Sequence, residues 1–217
     1  MGQYYNPCVL KKNWKTAKNP VMASLKCYDY GNGAKLMEHS YIGNSFVRSI
    51  EYLLANQFKG HVFVWCGDYA DEVETRTGTH DIFCDAGRFI YEDYDSPDNS
   101  NKAKRYEALQ GTIPAMPEWK EGVEWNAYET IPYYKYLINY SKKQYCTIPV
   151  NDNDKWQIHP LPLLTCSGNG RGGGDYRREG DPRVGSWAFD KIGMSNNSAD
   201  IKGFKRISGI FKLDMPR

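Results

Sequence analysis

Residues 133–150, YYKYLINYSKKQYCTIPV, decide the fold class. Tyr134, Tyr136, Ile138 and Tyr140 alternate with Tyr133, Lys135, Leu137 and Asn139. Successive side chains of a strand point to opposite faces, so a period of two marks a strand with one buried side. The polar run Ser141–Lys143 breaks the alternation, and QYCTIPV resumes it. The stretch therefore predicts two strands joined by a turn, the antiparallel unit of a sheet.

Working outward, HVFVWC at 61–66 is a short apolar run ending in Gly67 and predicts a buried strand. GRFIYED at 87–93, LPLLTC at 161–166 and RISGIFKLD at 206–214 predict further strands. NSFVRSIEYLLANQF at 44–58 has the other period. Phe46, Val47, Ile50, Leu53 and Leu54 fall on one helical stripe, with Asn44 or Ser45 as N-cap. The polar region 93–108 predicts an exposed loop, and 110–131, with Pro114 and Pro117, an irregular segment. The sum is one globular α+β domain over residues 1–217, a mainly antiparallel sheet with one or two packing helices.

Composition narrows the class. The chain has 217 residues, 41% hydrophobic and 14% aromatic, which excludes a disordered chain. Its 28 basic and 26 acidic residues leave a net charge of +2, too little for a nucleic-acid or membrane-surface field. Six scattered cysteines form no C-x-x-C pair. The opening MGQYYNPCVLKKNWK lacks the pattern of a secretion signal, and no run approaches the ~18 apolar residues of a membrane span. The expectation is a cytoplasmic protein with reduced thiols.

The chemistry concentrates in GNGRGGGDY, residues 168–176. Successive glycines open backbone angles closed to other residues and let N–H groups converge on an anion. Arg171 would add a fork of donors matched to phosphate or carboxylate. The candidate ligand-binding residues are Gly170, Arg171, Gly172, Gly173 and Gly174, with Arg177 and Arg178 just downstream; Arg183 extends the basic cluster. No P-loop spacing occurs. A second candidate is WCGDYADE at 65–72, where a strand runs into Asp68, Asp71 and Glu72. GTHDIFCD at 78–85 adds His80, Asp81 and Asp85 as divalent-metal ligand types. The triplet GDY occurs at 67–69 and again at 174–176. If both loops meet at one sheet edge, Asp68 and Asp175 would form a carboxylate pair for a divalent metal. His159, placed before a proline at the start of the strand leading to the loop, is the first acid–base candidate, with Asp175 as its catalytic companion if the protein is an enzyme. His39 is the next.

Six long motifs are similar to those of a group of proteins from gut bacteria and their phages. They are MGQYY, YGNGAKLMEHSYIGNSFV (30–47), VWCGDYADE (64–72), YLINYSKKQY (136–145), WQIHPLPLLTCSGNGRGGGDY (156–176) and VGSWAFD (184–190). The resemblance runs over most of the chain and is poorest over 95–130. The group brings no assigned fold, activity or catalytic residue. What it implies is an intracellular protein of the kind carried on phages and mobile elements, with a counter-defence role among the expectations. Three readings stay open. The favoured one is a binding or inhibitor protein whose glycine–arginine loop holds a nucleotide-like anion or docks on an acidic surface of a host protein. The second is a metal-dependent enzyme acting on a phosphorylated or nucleotide substrate. The third is a structural protein without a ligand site. No nucleophile–base spacing of a known type is visible, and that favours binding over turnover.

Overall fold

The computed structural model describes residues 3–90, 99–114, 131–149, 157–168 and 181–211. The strands are β1 (Tyr5–Leu10), β2 (Val21–Ala23), β3 (His61–Gly67), β4 (Val73–Thr75), β5 (Gly78–His80), β6 (Tyr136–Asn139), β7 (Gln144–Thr147), β8 (Cys166–Ser167), β9 (Asp190–Ser195) and β10 (Lys205–Arg206). The helices are α1 (Leu36–His39), α2 (Ser45–Ala55), α3 (Ile82–Ile90), α4 (Asn99–Gln110) and α5 (Pro160–Thr165). This is the expected α+β architecture with a mainly antiparallel sheet. Among the described residues it carries five α-helices rather than one or two.

One eight-stranded sheet runs in the order β10-β7-β6-β9-β3-β1-β2, with β8 also paired to β3. Only β10 on β7 and β8 on β3 are parallel. The 133–150 stretch forms the β6–β7 hairpin, with Tyr136 opposite Thr147 and Asn139 opposite Gln144. Strand β1 lies between β3 and the edge strand β2 despite Pro7. Tyr5 N donates away from β3, to Ala34 O at 2.8 Å, and Pro7 has the same parity along the strand. Its missing N–H therefore faces an edge that β2 does not reach, since β2 pairs only at Val9 and Leu10.

The pleat divides the core. Val9, Phe63 and Trp65 pack with Phe46, Val47, Ile50, Leu53 and Leu54 of α2 and with the leucines of α5. Cys8, Leu10, Val64 and Cys66 face the opposite side and pack on Ile82 and Ala86 of α3. Asn44 caps α2 as expected, its side-chain oxygen accepting from Phe46 N and Val47 N.

Four expected elements differ. Of residues 206–214, expected as a strand, only Arg206 lies in a strand, β10; 207–211 are in neither helix nor strand, and 212–214 lie outside the described residues. Residues 161–166 form α5 followed by the start of β8, not one strand. His159 keeps the extended backbone that a following proline requires, but Pro160 then occupies N1, where its fixed φ starts a helix. Residues 87–90, expected in a strand, belong to α3, whose Ile82, Ala86 and Ile90 are buried at spacings of four. Asp81 Oδ1 caps that helix by accepting from Cys84 N at 2.9 Å. The expected loop 93–108 is helical where it is described, as α4. Tyr106 anchors α4 by donating to Asp29 Oδ2 at 2.7 Å and accepting from Lys26 N at 2.9 Å. Residues 93–98, and 115–130 of the expected irregular segment, lie outside the described residues.

Candidate functional site

The residues that lead into the two GDY triplets lie on neighbouring strands as far as they are described. β8 runs parallel to β3, with Trp65 opposite Cys166 and Cys66 opposite Ser167. Gly67 and Gly168 are the next residues on each strand, so they stand side by side at the same end. Both pack on the same two side chains. A Cβ at Gly67 would lie 2.8 Å from Gln3 Nε2, and one at Gly168 would lie 2.8 Å from Gln3 Oε1 and from Tyr5 Oη. Tyr5 Oη donates to Gln3 Oε1 at 2.7 Å, and Gln3 is only 1% exposed. Bare backbone at these positions is what lets the strand ends close over this polar pair.

Asp68 follows directly. Its N–H donates to Tyr4 O at 2.9 Å, and its Oδ1 accepts from Tyr4 N at 3.1 Å. The carboxylate is thereby fixed at the strand end, flanked by Tyr4 and Tyr69, which are 47% and 42% exposed. Gly170, Arg171, Gly172, Gly173, Gly174, Asp175, Arg177 and Arg178 lie outside the described residues, so the pairing of Asp68 with Asp175 does too. Arg183 is described, and its fork is spent on the fold. It meets Asp181 with Nε at 2.9 Å and Nη2 at 2.6 Å, and Nη1 donates to Ser208 O and Ile210 O.

His159 sits at the far end of α5 from the loop root, a helix of six residues or about 9 Å. It is 1% exposed. Nδ1 accepts from Leu161 N at 3.0 Å, and Nε2 lies 2.9 Å from Glu51 Oε1. Because Nδ1 accepts, the ring proton belongs on Nε2 and is donated to Glu51. Both nitrogens hold the fold, and acid–base work at this ring would require one of those contacts to open. His39 packs its ring where a Cβ on Gly33 would stand, and its Nδ1 accepts from Lys35 N at 3.4 Å.

Cys66 and Cys166 are buried, as expected. Burial pushes the Cys66 thiol up to about 12 and the Cys8 thiol well above its ordinary value. Exposed Cys84 is also raised, first through its hydrogen bond to Asp81. Among the described residues, no group of three His, Cys, Asp or Glu side chains is placed to hold a metal ion. Sequence reasoning missed Gln3 and Tyr5, since a polar residue two positions from a tyrosine carries no signal of burial. It also missed Arg48 and Glu51, which lie on α2 outside its apolar stripe and are nonetheless buried.

No family model, no curated protein and no solved structure matches the chain. Among the described residues, no helix is long and apolar enough to cross a membrane.

Proposed function

We propose that the chain is a binding protein for a nucleotide-like anion, held by the glycine–arginine segment at the shared end of β3 and β8. The reading is supported by one observation above all: β8 pairs parallel with β3, which brings Gly168, the first residue of that segment, beside Gly67 and Asp68. Binding residues are disproportionately carried on loops positioned by a rigid scaffold such as this sheet end. The segment supplies glycine N–H groups and the Arg171 guanidinium, the donors an oxyanion needs. The protein acts by sequestering its ligand inside the cell, and its sequence resemblance to phage and mobile-element proteins supports a counter-defence setting.

A thermal-shift panel of mononucleotides, cyclic nucleotides and dinucleotides, with and without divalent metal, tests this. A ligand at about 100 times its Kd adds ~2.7 kcal/mol, a shift of about 5–10 °C for a chain of this size. The expected result is a shift that disappears in Arg171→Ala while the ligand-free melting temperature stays unchanged. A blank panel, or an Arg171→Ala change confined to the ligand-free protein, overturns the reading. Product formation that is lost with chelator and in Asp68→Asn would identify a metal-dependent enzyme instead.

A further inference from the structure

A second cluster lies on the β4–β5 hairpin, where it meets α3. Thr77 Oγ1 is 3.2 Å from His80 Nε2, and His80 Nδ1 is 3.3 Å from Asp85 Oδ2. Hydroxyl, imidazole and carboxylate are therefore neighbours in that order, the ring lying between the other two groups. Asp85 stands in the first turn of α3, and its Oδ1 accepts from Arg88 Nη1 at 2.8 Å. Its Oδ2 is buried and accepts no hydrogen bond; His80 Nδ1 stands 3.3 Å away, within ion-pair distance. A buried carboxylate oxygen without a donor is costly, so the tautomer with its proton on Nδ1, which a small turn of the ring would bring onto Oδ2, is the favoured one. Nε2 is then a bare acceptor facing the Thr77 hydroxyl.

The hydroxyl itself is held in place. Its one proton has three acceptors within reach: Ala17 O and Thr75 Oγ1, each at 3.1 Å, and His80 Nε2. Thr75 spends its own proton on Gly78 O at 2.7 Å and accepts from Thr77 N at 3.2 Å. Of the three, only the imidazole is basic enough to take the proton away and leave a nucleophile. Gly78 has φ +124°, and the place where it would carry a Cβ has no atom within 4 Å. Thr77 and Gly78 are both exposed, so a carbonyl group can approach the turn from solvent.

We propose that Thr77, His80 and Asp85 form a nucleophile, a general base and a positioning carboxylate for acyl transfer from activated esters. Thr77 Oγ1 adds to the carbonyl carbon while its proton passes to His80 Nε2. The bond to the leaving alcohol breaks, and the alcohol oxygen takes that proton. Water then adds to the acyl-threonine and gives a proton to His80, and the ester bond to Thr77 breaks as the proton returns to Oγ1. The net reaction consumes one ester and one water and releases one acid and one alcohol.

The test is a reaction of the full chain with 4-nitrophenyl acetate, read as the burst of nitrophenolate and as the acetylated residue found by mass spectrometry. The expected result is one acetyl group per chain on Thr77, retained in Thr77→Ser and lost in Thr77→Val. His80→Gln should slow acylation by ~10²-fold or more. Asp85→Asn should lower the acylation rate constant and leave the half-saturating ester concentration unchanged. Melting curves of each variant show whether it is folded, and Thr77→Ser with His80→Gln carries the test if Thr77→Val is not. Acetyl found only on lysine or tyrosine, or Thr77 acetylation that proceeds at full rate in His80→Gln, overturns the proposal.

Discussion

Glu51 and His159 are 108 positions apart in sequence and 2.9 Å apart in the fold. Each is buried, and each answers the other's polarity. Removing the ring strands a carboxylate out of water and deletes the N-cap of α5. We expect His159→Ala to lower stability by about 3–5 kcal/mol. Glu51→Gln keeps an oxygen that accepts from Nε2 and should cost much less. Denaturant midpoints of both variants check the contrast, and equal losses would contradict the assigned tautomer. The sequence marks His159 as unusual through the proline after it. It gives no hint of the partner, because Glu51 stands on α2 outside the apolar stripe, where a charged residue reads as the solvent side.

At the scale of elements, Gly185 shows how the C-terminal third is fastened. It has φ +69°, its N–H donates to Leu163 O at 2.8 Å, and a Cβ there would lie 2.8 Å from the Cys166 carbonyl oxygen. Gly203 has a similar φ of +79° with nothing within 4 Å. Gly203→Ala should therefore cost only the left-handed backbone term of about 1–2 kcal/mol. Gly185→Ala adds a backbone collision and should cost about 1–3 kcal/mol more. Thermal melts of the pair separate the two terms, and equal melting temperatures would remove the collision argument. Elements with one clear pattern were legible: the helical stripe of α2, the apolar run of β3 and the alternation of the β6–β7 hairpin. Those decided by a cap were not. RFIY at 88–91 is rich in strand formers, yet the Asp81 cap and the buried face of Ile82 and Ala86 make its described part helical. The loop roots were legible in part. Repeated GDY triplets suggested that two loops meet, and the β3–β8 register brings their roots together through backbone pairing that no local pattern encodes.

For the molecule as a whole, buried acids set the alkaline limit. Burial pushes the Cys66 and Cys146 thiols and the Tyr30 hydroxyl each up to about 12. The unfolded chain releases these protons at the ordinary values of 9.0 for the thiols and 10.0 for the tyrosine. The folded values are raised, so the associated stability is fully present below pH 9 and is lost as pH rises toward 12. Each group contributes at most ~1.4 kcal/mol per pH unit within its window. We expect circular-dichroism melts under reducing conditions to show the melting temperature falling from pH 9 to 12, and the fall to be shallower in Cys146→Ala. An identical slope in that variant would assign the alkaline loss elsewhere.

The shared edge of β3 bears on how the chain is made. β3 pairs with β1 on one side, and that pair is complete once residue 67 has been synthesised. The other side is covered by β9 over His61–Phe63 and by β8 over Trp65–Cys66. Those segments follow roughly 100 or more residues later, a delay of about 5–25 s at ribosomal rates of synthesis. Throughout that interval the nascent chain holds an apolar central strand with an open edge, ready to pair with any neighbour. Crowded synthesis thus selects for rapid capture of 166–192, or for a chaperone that covers β3 until those residues emerge.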